Sequence, residues 1–176
     1  MCIQCDGFDH DELIAHYAES IAAHRFMVTG VEGTNEPGTR GWAYTVGLDH
    51  HADHPELIVA GPEFAASGPW LNELGRRVLA GERFADGDVV ATSRGAARFG
   101  AVHDIQFRLG TFNVWLALVD AGIVRNSGFR ALQVFAPAAW FCAEHTGLQP
   151  VLAHQHERVD LVFRPNRAIR RARGWS

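Results

Sequence analysis

Residues 41–61 read Gly-Trp-Ala-Tyr-Thr-Val-Gly-Leu-Asp-His-His-Ala-Asp-His-Pro-Glu-Leu-Ile-Val-Ala-Gly. Two apolar runs in this stretch, Trp42 to Leu48 and Leu57 to Ala60, are rich in β-branched or aromatic residues and are bounded by glycine or proline, which predicts two strands. The polar residues between the runs carry three histidines and predict a loop. Because loops on a rigid sheet concentrate binding and catalytic side chains, we expect any functional site near this turn.

The rest of the chain mixes helical and strand patterns. Residues 9–12 have the spacing of a capping box, and residues 10–25 carry apolar side chains at helical spacing. A second helix is predicted to begin at Gly68-Pro69, and a third is built around Trp115. The remaining patterns predict strands at residues 26–32, 89–92, 98–103, 129–136 and 158–163, and a short helix at residues 137–145.

Strands and helices do not alternate strictly along this chain, as they do in a doubly wound sheet. It favours an α+β fold, a single domain with a mainly antiparallel sheet and three to four helices. The composition is typical of a globular chain, since 47% of the 176 residues are hydrophobic and 20% are charged. We expect one domain over residues 1–163, followed by an arginine-rich tail at residues 164–176.

Charge and cysteine usage narrow the range of partners. No lysine is present, so a Schiff-base lysine or a Walker lysine is excluded. The basic tail on an otherwise acidic chain favours a solvated terminus over a nucleic-acid contact. No apolar run approaches the roughly 20 residues of a membrane span, and no secretory signal is evident. Three cysteines, an odd number, are typical of a reducing compartment, and we expect a cytoplasmic location.

One pair of cysteines and one cysteine–histidine pair suggest a metal site. Cys2 and Cys5 form a Cys-x-x-Cys pair, whose spacing lets a tight turn aim both sulfur atoms at one ion. Cys142 and His145 form a Cys-x-x-His pair that would share one face of a helix. Together the four side chains predict a structural zinc site. The alternative is that Cys142 is a buried apolar residue and His145 a surface residue near a helix end.

The turn between the predicted strands at residues 42–48 and 57–60 holds the other cluster. Its histidines are His50, His51 and His54, and Glu56 follows them. Imidazole and carboxylate groups bind metals or transfer protons, so His54 and Glu56 are the candidate ligand-binding and catalytic groups. The remaining pocket contacts are predicted to come from the strand before this turn, at Tyr44 and Thr45. The alternative is a polar turn with solvated histidines.

Several segments coincide with those of one bacterial family. They are Met-Cys-x-x-Cys-Asp at the start, His24-Arg25-Phe26, residues 43–48, His54-Pro55-Glu56-Leu57, and residues 81–87, 130–134 and 149–152. Over residues 2–152 the chain resembles the family known as domain of unknown function 4262. The resemblance implies a single domain and no particular activity. Cys142 and His145 fall where family members usually carry an acidic segment with Pro-Trp, so the resemblance does not extend to the second half of the zinc site.

Three functions remain open from the sequence. The first is a ligand- or metal-binding protein whose site joins the N-terminal Cys2 and Cys5 to residues 44–56. The second is a metal-assisted hydrolase that uses His50 or His54 with Glu56. The third is an interaction module without a small-molecule site, for example a homodimer formed through Trp70 or Trp115.

Overall fold

A computed structural model describes residues 9–31, 41–61, 64–137, 140 and 152. It confirms an α+β domain with a mostly antiparallel sheet. The elements in chain order are α1 (His10–His24), β1 (Met27–Val31), β2 (Trp42–Val46), α2 (Leu48–Ala52), β3 (Glu56–Ala60), α3 (Phe64–Leu79), β4 (Val89–Thr92), β5 (Gly95–Ala101), α4 (Ile105–Arg108), α5 (Asn113–Asp120) and β6 (Ala131–Phe135).

The six strands form one sheet in the order β1-β2-β3-β6-β5-β4. Every neighbouring pair is antiparallel except β3 and β6, which run parallel with Glu56 opposite Ala131. The register places the end of β2 and the beginnings of β1, β3 and β6 at the same end of the sheet. Helix α2 joins β2 to β3 at this end, which we call the α2 end of the sheet.

Alternating residues of the central strands point to opposite faces, as the two-residue period of a strand requires. One face packs against α1 and α5, and it buries Tyr44, Ile58 and Ala131. The other face packs against α3 and buries the neighbouring Leu57 and Leu132. Because both faces are covered, β3 is buried along its whole length.

Helix α1 forms where the capping box predicts it. The Asp9 carboxylate accepts a hydrogen bond from the Glu12 amide at 2.9 Å, and the Glu12 carboxylate accepts one from the Asp9 amide at 3.0 Å. These two bonds satisfy amides that the helix itself leaves without partners. The apolar positions Leu13, Tyr17 and Ile21 are buried, so the predicted inner face is confirmed.

Some predicted boundaries were wrong. The predicted loop between β2 and β3 contains a helix, α2, which carries His50 and His51. Helix α3 begins at Phe64 rather than at Gly68-Pro69, because the Phe64 ring packs against Gly68 within the helix and against Gly30 of β1. Strand β5 starts at Gly95, since its positive φ completes a tight turn after β4. The short helix α4 was not predicted.

Trp70 and Trp115 do not form an exposed patch. Trp70 is 0% exposed and packs in the core beneath α3, whereas Trp115 is 3% exposed and packs beneath α5. Neither indole therefore offers an exposed apolar surface to a partner. Formation of a homodimer stays a prediction. Among the helices in the described ranges, none combines the length and apolar character that crossing a membrane requires.

Gly47 carries the backbone from β2 into α2. Its φ is +116°, and an added Cβ would lie 2.8 Å from the carbonyl oxygen of Arg25. Replacing Gly47 by alanine is expected to lower the free energy of unfolding by about 2 kcal/mol, because both backbone strain and a backbone contact oppose the methyl group. Chemical denaturation would measure the loss.

The matched control is Gly81, which has a φ of +103° but open space around the position of a Cβ. Replacing Gly81 by alanine should cost about 1 kcal/mol, from backbone strain alone. Equal losses at the two positions would show that the contact with Arg25 does not constrain the start of α2.

Candidate functional site

Tyr44 lies at the centre of the sheet face that packs against α1 and α5. Its hydroxyl accepts a hydrogen bond from the Val114 amide at 3.1 Å, in the first turn of α5. Its ring packs against Phe112 with centroids 4.9 Å apart. Burial raises the pKa of the Tyr44 hydroxyl above its ordinary value. The side chain therefore anchors a helix terminus and is closed to solvent.

Thr45 and Glu56 form a buried hydrogen-bond network at the start of α2. The Thr45 hydroxyl donates to Glu56 Oε2 at 2.7 Å and accepts from the Leu57 amide at 2.8 Å. Glu56 Oε1 accepts from the amides of Gly47 at 2.8 Å and Asp49 at 3.3 Å. Burial raises the pKa of the Glu56 carboxyl to about 7, although these hydrogen bonds oppose the rise. The network fixes α2 to β3.

His54 follows α2 and is fully buried. Its Nδ1 lies 2.7 Å from the carbonyl oxygen of Pro55, and its Nε2 accepts a hydrogen bond from the Phe84 amide at 3.0 Å. This arrangement requires the neutral ring with a proton on Nδ1. Burial lowers the pKa of His54, which agrees with a neutral ring. Both ring nitrogens are engaged within the fold, so His54 presents no free nitrogen to a metal.

The structure brings Thr45, His54 and Glu56 together next to α2, whereas the side chain of Tyr44 contacts α5 instead. All four side chains are buried. Within the ranges that are described, no three side chains of His, Cys, Asp or Glu lie close enough to share a metal ion. The geometry therefore gives no support to a hydrolase built on His50, His54 and Glu56. The other predicted ligands, Cys2, Cys5, Cys142 and His145, lie outside the described residues, and the zinc site stays a prediction.

The end of α2 is surrounded by arginines. A helix leaves its last carbonyl groups without backbone partners, and cations are favourable there. Arg25 donates to the His51 carbonyl oxygen at 3.0 Å, Arg83 donates to that of Ala52 at 2.9 Å, and Arg125 donates to that of Asp49. Three side chains from separate connections thus donate to carbonyl groups of one short helix, and the Asp49 carbonyl oxygen also accepts from the Asp53 amide.

A fourth arginine, Arg130, binds two aspartates of the same segment. It donates to the Asp49 carboxylate, which also accepts from the Ser127 hydroxyl, and to Asp53 Oδ1 at 2.7 Å. The two acids differ in exposure, because the Asp49 side chain is 4% exposed and the Asp53 side chain is 76% exposed. We define the arginine patch as the exposed surface formed by Arg25, Arg83, Arg125 and Arg130 at the α2 end of the sheet.

Two histidines lie on α2 within this patch. His50 Nδ1 accepts a hydrogen bond from the Arg125 amide at 3.1 Å, and the His51 ring lies 4.4 Å from that of His50. Partial burial lowers the pKa of His51, and the neighbouring His50, Arg25 and Arg125 lower it further. Burial is the largest of these causes, and the two arginines of the patch add to it.

The sequence did not reveal the arginine patch. Its members lie far apart in the chain and enter the patch from the connections α1–β1, α3–β4 and α5–β6. Each arginine stands in a different local pattern, so no spacing rule groups them. The single indication was indirect, because residues 24–26 and 130–134 were among the segments shared with the family.

The fold and the site define a small α+β domain with an arginine-lined surface next to its central strands. Residues 20–140 match a family described as Domain of unknown function (DUF4262). This match spans more than half of the chain, so the chain belongs to that family. No curated protein and no solved structure matches the chain. The function therefore has to be argued from the geometry.

Proposed function

We propose that this protein binds a small anionic ligand on the arginine patch, through a carboxylate or phosphate group of the ligand. The observation that carries the proposal is the convergence of four exposed guanidinium groups on one five-residue helix. The proposal keeps the predicted location next to residues 44–56. It assigns binding to the exposed surface of that segment, whereas the buried side chains hold the surface in place.

The charge of the patch supports an anionic ligand. Four arginines face two aspartates, which leaves two positive charges in excess on a chain whose net charge is −4. Local positive charge on an acidic protein attracts anions to that place rather than to the surface in general. Arg25 and Arg125 also contribute to the lowered pKa of His51, after burial and the neighbouring His50.

The chemistry of the side chains supports an oxyanion. Guanidinium groups present fixed forks of N–H donors that match carboxylate and phosphate groups. The side chains of Arg125 and Arg130 remain 48% and 44% exposed although both contact aspartates. Each of these two groups has five N–H donors, and the hydrogen bonds to Asp49 and Asp53 use only part of them. Donors are thus available to a ligand at the surface.

The other sequence hypotheses receive less support from the described residues. The hydrolase hypothesis needs an open metal position, and His54 and Glu56 are instead engaged in internal hydrogen bonds. The cytoplasmic location expected from the cysteine count stays part of the proposal, and so does the absence of a nucleic-acid partner.

Titration with inorganic phosphate at low ionic strength tests the proposal. Low salt is needed because a Debye length of about 10 Å at 0.1 M screens exposed charges. NMR signals of α2 should shift in a saturable way, and the pKa of His51 should rise, because bound phosphate offsets the neighbouring arginines. Replacing Arg125 by glutamine should weaken binding by about tenfold, the effect of losing one charge-assisted hydrogen bond.

The matched control is Arg108→Gln, which removes the same charge from an exposed side chain on α4. It should leave phosphate binding within about twofold of that of the unchanged protein. The proposal is wrong if phosphate produces no saturable shift at α2. It is also wrong if the two arginine replacements weaken binding equally, since that result would indicate a response to net charge alone.

A further inference from the structure

We infer that Asp53 is an internal competitor for the ligand: its carboxylate occupies the position on Arg130 that the oxyanion of the ligand takes on binding. The inference rests on the proposed function and specifies how that site is regulated. Asp53 Oδ1 lies 2.7 Å from Nη2 of Arg130 and 4.0 Å from Nη2 of Arg125. A carboxylate of the protein itself thus lies between the guanidinium groups of Arg125 and Arg130.

Exposure distinguishes the two aspartates that contact Arg130. The Asp49 carboxylate is almost fully buried and is also held by the Ser127 hydroxyl, so it stays in place when a ligand arrives. The Asp53 side chain is 76% exposed, and within the described part of the chain its carboxylate contacts only Arg125 and Arg130. An exposed ion pair contributes little free energy because water screens both charges, so an incoming anion can displace it.

The backbone of Asp53 is fixed while its side chain is free to rotate. Its amide donates to the Asp49 carbonyl oxygen at 3.2 Å, and its φ of +50° places it in the left-handed region at the end of α2. Displacement of the carboxylate therefore needs only a side-chain rotation. Because Asp49 remains bound, Arg130 keeps its orientation, and the ligand meets a guanidinium group that is already positioned.

Charge balance explains why such a group would be useful. Without Asp53, the surface would hold one more uncompensated positive charge and would attract anions of every kind. With Asp53 present, a ligand must replace an existing carboxylate, which favours groups that engage both Arg125 and Arg130. The lowered pKa of the Asp53 carboxyl, caused first by its hydrogen bond to Arg130, keeps this competitor ionised.

Replacing Asp53 by asparagine tests the inference. Asparagine has the same shape and tolerates a positive φ, so the end of α2 is retained. Removing the competing charge should tighten the binding of inorganic phosphate by about threefold to fivefold, the fold-change that corresponds to an exposed ion pair. The control is Asp11→Asn, which removes the same charge from the first turn of α1, roughly 20 Å along the helix from Arg25.

The outcomes separate the two claims. Tighter binding by Asp53→Asn, with binding by Asp11→Asn unchanged, supports the inference. Unchanged phosphate binding by Asp53→Asn overturns the inference and leaves the proposed function standing, provided that the original protein binds. Equal tightening in both variants also overturns it, because the effect would then come from net charge. If neither the original protein nor Asp53→Asn binds phosphate, the proposed function fails and the inference fails with it.

Discussion

Replacing Arg130 by methionine is expected to lower the free energy of unfolding by about 3 kcal/mol. The Asp49 carboxylate is 4% exposed, and Arg130 is the guanidinium group that donates to it directly, whereas Nε of Arg125 lies 3.9 Å from Asp49 Oδ2. A buried carboxylate that loses its cation is left with an uncompensated charge, which is a severe penalty. Equilibrium denaturation by urea at neutral pH would measure the loss.

A double replacement identifies the source of this loss. In Asp49→Asn/Arg130→Met the buried charge is removed together with its cation, so about half or more of the lost stability should return. Arg108→Met is the surface control, because the nearest carboxylate to Arg108 is exposed and 3.9 Å away, and it should cost less than about 0.5 kcal/mol. If the double variant is as unstable as Arg130→Met, the buried charge is not the cause.

Replacing Glu56 by glutamine is expected to change how stability depends on pH. The pKa of Glu56 rises from 4.5 to about 7 on folding. Between these pH values the folded chain binds more protons than the unfolded chain, so this carboxyl makes the fold less stable as pH rises. Its contribution across the window is roughly 3 kcal/mol, since each unit of pKa corresponds to about 1.4 kcal/mol. Above the folded pKa the contribution is constant.

The measurement compares the original protein with Glu56→Gln by denaturation between about pH 5 and pH 8. Glutamine resembles the protonated carboxyl and does not titrate. The free energy of unfolding of Glu56→Gln should therefore increase relative to that of the original protein by roughly 3 kcal/mol as pH rises. His54 acts in the opposite direction, because its pKa is lowered on folding and protonation favours the unfolded chain. His54 is present in both proteins, so its effect cancels. Parallel pH curves would contradict the prediction.

Much of the fold could be predicted because its signals are local. The capping box at Asp9 and Glu12 and the apolar positions that follow it determine α1 within a few residues. The β-branched and aromatic runs at residues 42–48 and 57–60 coincide with β2 and β3. Helix α2 was not predicted because five residues are too few to show helical periodicity. Its stability comes from Glu56 at one end and from arginines at the other, which are tertiary contacts.

The candidate site could be predicted only in part. The sequence directed attention to residues 44–56, and the structure places the arginine patch next to that segment. It did not indicate that Tyr44, Thr45, His54 and Glu56 are buried, because ligand-type side chains and internally hydrogen-bonded side chains look alike in a sequence. The four arginines of the patch share no spacing pattern in the sequence. Their convergence depends on three connections that meet only in the folded chain.

The parallel pairing of β3 with β6 determines how the sheet can assemble. Strands β1 to β3 and strands β4 and β5 pair with neighbours close in the chain, but Glu56 pairs with Ala131 across a long intervening segment. Closing a loop of that length costs about 4 kcal/mol of chain entropy, and this cost precedes any stabilisation from the hydrogen bonds between β3 and β6. The sheet thus consists of an early half, strands β1 to β3, and a late half, strands β4 to β6. Cooperative folding depends on the seam between them, which is the parallel pairing of β3 with β6. The arginines at residues 125 and 130 come from the late half and reach α2 in the early half across this seam, so the proposed binding surface exists only after the two halves have joined.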